Sequence, residues 1–79
     1  MRVISQDKMH DVPYEGTTFS VEESHHWDDS EESTSWIIRA KCGFYDLKMA
    51  QLVTKEECIL SLQYLRTCHI DGETYYQMP

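Results

Sequence analysis

"SWIIRAKCGFYDLKMAQLV", Ser35 to Val53, runs directly into "TKEECILSLQYLRTCHI", Thr54 to Ile70, and between them these stretches set the architecture. In the first, Trp36, Ile38, Ala40 and Cys42 alternate with Ile37, Arg39 and Lys41. That is the period of a half-buried strand. Gly43 breaks the pattern, after which Tyr45, Leu47 and Met49 face one way and Asp46 and Lys48 the other. So short a break between two alternating runs predicts a hairpin. In the second stretch Thr54 with Glu57 three residues on fits a capping box. Glu56 and Glu57 also sit at the positive end of the helix. Wound at about 100° per residue, Cys58, Ser61, Leu62, Leu65 and His69 form one stripe, with Ile59 and Cys68 at its edges. That stripe should lie on the sheet. Leu60 and Tyr64 point away from it, four residues apart, and are candidates for a subunit or partner interface.

Outward from this centre the signals are shorter. "RVIS" reads as a strand at Arg2 to Ser5, and residues 6–16 carry the turn and edge residues Asp7, Asp11, Pro13 and Gly16. "TTFSVEE" places Phe19 and Val21 against Thr18, Ser20 and Glu22, again a strand. "ETYYQMP" is a last strand or a docked tail. The expected fold is α+β: a small antiparallel sheet of three to five strands with one C-terminal helix packed on one face. At 79 residues the chain makes a single domain over 1–79 with one thin core.

Charge is concentrated in "VEESHHWDDSEES", Val21 to Ser33. Glu22, Glu23, Asp28, Asp29, Glu31 and Glu32 contribute −6 of the formal −7 within eleven residues, leaving the remainder nearly balanced. The stretch reads as a flexible acidic loop at about 22–35. Its field repels phosphate and attracts basic surfaces, so direct nucleic-acid binding is not expected. Trp27 in its middle is a natural anchor for a partner. These seven residues are the partner-binding candidates.

His25 and His26 are adjacent and point to opposite sides of an extended chain. Their surroundings fit neither the two-histidine helical zinc motif nor a calcium loop. No metal or cofactor is expected. Cys42, Cys58 and Cys68 are odd in number, and Cys58 and Cys68 stand ten residues apart on one helix. That spacing is about 15 Å, against the roughly 7 Å a disulfide spans. Free thiols in a reducing cytoplasm are expected, on buried faces where cysteine acts as a small apolar residue. No nucleophile stands beside an orienting base, so no catalytic residue and no enzyme activity are expected. The longest apolar run is about three or four residues, far short of a membrane span.

At its ends the sequence becomes specific. "MRVISQD" at Met1 to Asp7, "DVPYE" at Asp11 to Glu15, the threonine-capped helix ending in Leu65-Arg66, and the terminal "YYQMP" together resemble a family of small phage and prophage proteins of gut Firmicutes. The chain departs from that pattern at Lys8, where the family usually carries glycine, and throughout residues 16–48. The resemblance implies a mobile-element origin and the cytoplasm of a bacterial host. It brings no catalytic residues with it. The shared ends read as scaffold and the variable middle as the seat of function.

Two functions are expected from these features. The first is a non-enzymatic inhibitor that presents the acidic stretch to the basic groove of a host defence protein, such as a nucleic-acid-binding immune effector. The second is an oligomeric sponge for a nucleotide immune signal, gripping it with Arg2, Arg39, Lys41 and Tyr45, because arginine forks suit phosphate and aromatic rings suit bases. Oligomeric state separates them: a monomer without a nucleotide response favours the first, and a homodimer or higher oligomer that responds to nucleotide favours the second.

Overall fold

The computed structural model describes residues 1–79, the side chain of Asp28 excepted. It is an α+β fold of two three-stranded sheets and one C-terminal helix. β1 (Arg2–Ile4), β2 (Asp11–Pro13) and β6 (Tyr75–Gln77) form one sheet with β1 in the middle. β3 (Thr18–Asp28), β4 (Glu31–Cys42) and β5 (Tyr45–Leu52) form the other, with β4 in the middle. The helix α1 spans Lys55–Ile70. The expected single sheet is therefore divided in two, and its six strands are not all antiparallel: β1 and β6 run parallel, Val3 opposite Tyr76.

The central hairpin forms as its alternation predicts. Ile38 and Ala40 are fully buried, and Trp36 is half-buried beside them. Cys42 faces Tyr45 across a two-residue turn in which Gly43 holds φ +61, a conformation that glycine adopts without steric cost. The alternation of burial breaks on both strands, since Ile37 is buried next to Ile38 on β4. The register shifts between Ile38 and Arg39, so that both Met49 and Ala50 of β5 are buried. Such a bulge adds a residue to one strand and re-aims its neighbours.

α1 begins as its sequence dictates. Thr54 is extended, and its hydroxyl accepts the Glu57 amide at 3.2 Å. Cys58, Ser61 and Leu65 are buried. Cys58 and Leu65 meet Val3, Val12 and Met78 beside the first sheet and Ile38, Ala40, Met49 and Ala50 of the second in one core. Lys55 places its ammonium 5.7 Å from the centre of the Trp36 ring, a cation–π contact that fixes the start of the helix over the sheet.

The β1–β2 connection is tied around Ser5. Its buried hydroxyl donates to Asp7 Oδ1 at 2.5 Å and accepts the His10 amide at 3.0 Å, while Gln77 Nε2 donates to its carbonyl at 2.6 Å. Lys8, the point of departure from the resembled pattern, holds φ 65. This is the left-handed region, where glycine is the default residue and a Cβ is strained.

A two-stranded acidic arm as candidate functional site

Residues 22–35 do not form the loop that their composition predicts. β3 and β4 pair continuously from Thr18–Lys41 to Asp28–Glu31. Aspartate and, to a lesser degree, glutamate are poor strand formers, but cross-strand pairing and a matching turn override that preference here. Asp29 and Ser30 both have positive φ, 49° and 68°, as the tight hairpin turn that follows strand twist requires. β5 ends opposite Trp36. Beyond it, the rungs from Ser24–Ser35 to Asp28–Glu31 have no third strand. The result is a ribbon that extends the molecule to 46 Å in its longest direction, against 26 and 18 Å in the others.

The pleat sorts the candidates onto opposite faces. Glu23, His25 and Trp27 of β3 stand in register with Trp36, Thr34 and Glu32 of β4. All six share the face that α1 covers lower down, since facing residues lie on the same side of a sheet. His25 is held between two carboxylates: Nδ1 lies 2.7 Å from Glu32 and Nε2 lies 3.3 Å from Glu23. Trp27 is 74% exposed just beyond them. Glu22 is on the other face, where Arg39 donates to it at 2.6 Å and approaches Asp46 at 3.6 Å. The hydrogen bond to Glu22 holds the guanidinium pKa above its ordinary value. On the same face His26 Nε2 lies 3.1 Å from Ser35 Oγ, which also accepts a hydrogen bond from Gln51 at 3.0 Å. Asp29 sits in the turn and Glu31 just after it, and neither has an ion-pair partner among the described residues. The Asp28 side chain lies outside the described part. The acidic set is thus a bare tip with a partly neutralised stem. That the two histidines point apart is legible in the sequence; their partners become predictable only once the hairpin register is known.

The residues of the nucleotide-sponge reading are not brought together within one chain. Arg2 pairs with Asp11 in the other sheet, at 2.7 Å. Arg39 and Lys41 share the outer face of β4, but the fork of Arg39 is already taken by two carboxylates. Tyr45 is on the opposite face, lining a groove with Met9, His10, Pro13, Cys42 and Leu47. Leu60 and Tyr64 are exposed as predicted, 49% and 58%. The tail runs beside them without covering them. Tyr76 donates to the Ser61 carbonyl at 3.3 Å, leaving a groove of about 270 Å³ between Leu52, Leu60, Tyr64 and Pro79. Cys58 is fully buried, and desolvation pushes its thiol pKa up, which disfavours the nucleophilic thiolate.

No family model matches the chain, and neither a curated protein nor a solved structure matches it.

Proposed function

We propose that the protein is a non-enzymatic binding protein that inserts its acidic arm into the basic groove of a host protein. The arm itself carries the reading. It is a two-stranded ribbon, uncovered beyond the third strand, with unneutralised acids at the tip and an exposed tryptophan on one face. Two strands fit where a nucleic-acid strand runs, and carboxylates take the positions of phosphates against lysine and arginine. Trp27 supplies the apolar anchor that charge alone lacks. The resemblance of the chain ends to phage and prophage proteins points to a defence effector of the bacterial host as the partner.

The test is capture from host lysate with the wild-type chain and with a chain in which the six arm acids are changed to Gln or Asn. The wild type is expected to retain a nucleic-acid-binding protein that is released by salt and by a competing short duplex. The neutralised chain should lose it. Equal capture by both chains, or capture indifferent to salt, removes the reading.

A further inference from the structure

The second sheet has two edges, and they are treated differently. The end of the β5 edge, from Met49 to Gln51, is covered by one residue. Gln6 N donates to the Met49 carbonyl at 2.7 Å, Gln51 N donates to Gln6 Oε1 at 3.0 Å, and Gln6 Nε2 returns to the Gln51 carbonyl at 3.3 Å. The β3 edge has no such cover. Among the described residues, no backbone hydrogen bond outside the β3–β4 ladder involves positions 18–27. An open edge of this length is a template for another strand.

The order of residues along that edge says which strand fits. Reading outward from Ser24, Glu23 is matched by His25, Glu22 by His26 and Val21 by Trp27. We infer that β3 pairs antiparallel with β3 of a second copy about a two-fold axis at Ser24, joining the two sheets into one of six strands. In this register Glu23 faces the partner's His25 and Glu22 faces the partner's His26. Val21 packs on the partner's Trp27, covering a ring that is 74% exposed in the single chain. An imidazole N–H donates to a carboxylate across such a seam, and aromatic–β-branched pairs are favourable cross-strand combinations. Neighbouring registers are poorer. An axis at Glu23 sets that carboxylate against itself, and an axis at His25 gives neither glutamate a histidine across the seam. Odd shifts are forbidden because facing side chains must share a face. His25 already lies 2.7 Å from Glu32 and 3.3 Å from Glu23 of its own chain, and the two-fold brings the Glu23 carboxylate of the second copy to it as well. The inference rests on the edge and its residue order; because pairing covers Trp27 and engages Glu22 and Glu23, the dimer offers a host protein only the tip acids Asp29 and Glu31, and Trp27 is free to act as an anchor in the monomer alone.

Light scattering over a concentration series, joined to hydrogen exchange of the β3 amides, reads the association. The wild type is expected to dimerise, with amide protection along β3 that rises with concentration. Ser24→Lys sets two ammonium groups against each other at the axis and should weaken association at least tenfold, with the monomer's circular dichroism unchanged. Ser24→Cys brings two thiols to the axis, where facing Cα atoms about 4.5–5.5 Å apart suit a disulfide. Peptide mapping of the oxidised variant should find the two introduced thiols joined to each other across the dimer. A dimer indifferent to Ser24→Lys, or linked only through native cysteines, overturns the inference. So does a monomer at every concentration, which leaves the edge to a strand from a different protein.

Discussion

Gln6 and Gln51 exchange hydrogen bonds in both directions: the Gln51 amide donates to the Gln6 side-chain oxygen and the Gln6 side-chain nitrogen donates to the Gln51 carbonyl. A single side chain thus does for β5 what a neighbouring strand would do. Gln6→Ala removes both bonds, each worth about 1 kcal/mol net. A loss of about 1–2 kcal/mol in urea denaturation is expected, with faster exchange of the Gln51 amide. Unchanged exchange at Gln51 would show that the edge is closed by other means.

Lys8 occupies the left-handed region at φ 65. A residue with a Cβ there costs roughly 1–2 kcal/mol, part of which glycine gives back through its greater freedom in the unfolded chain. Lys8→Gly should raise stability by about 0.5–1 kcal/mol, visible as a higher denaturation midpoint with an unchanged slope. A destabilised variant would mean that the Lys8 side chain makes a compensating contact.

Asp7 accepts from the Ser5 hydroxyl and the Met9 amide, and these bonds hold its carboxyl below the ordinary carboxylate range. Its stabilising effect is therefore present above the unfolded-state value, about 3.9, and is lost as pH falls through the lower folded-state value. Asp7→Asn keeps an acceptor at that position but cannot titrate. The wild type should lose stability relative to Asp7→Asn below about pH 4, and parallel pH profiles for the two proteins would contradict this.

Cys58 is enclosed by the core while Cys42 and Cys68 are half-buried. An aromatic disulfide reagent should label Cys42 and Cys68 in the native protein and reach Cys58 only at the rate of unfolding. Rapid labelling of all three thiols would place Cys58 outside the core.

Much of this architecture is local and legible in the chain. Thr54 and Glu57 mark the helix start without reference to any other part of the sequence, and the central hairpin announces itself through alternation around Gly43. β2 is hidden because Asp11-Val12-Pro13 is three residues long and includes a proline, a residue confined to strand edges. The arm is hidden for a different reason. Its composition is that of a loop, and only the period-two order of Val21, Glu23, His25 and Trp27 betrays the strand. The division into two sheets cannot be read at all, since it depends on the parallel pairing of Val3 with Tyr76. Of the candidate site, the acidic cluster and Trp27 are visible, while the neutralisation of Glu22 by Arg39 needs the register of β3 on β4.

That parallel pairing has a consequence for how the molecule is made. β1 leaves the ribosome ahead of every other element described above, yet its partner on one side, Tyr75–Gln77, is translated after all of them. Until those residues emerge, Val3 lacks the neighbour that completes its burial and one flank of β1 is unclaimed. A chain truncated before Tyr75 and released would carry the helix and hairpin but an orphaned first strand, ready to join whatever strand lies nearest.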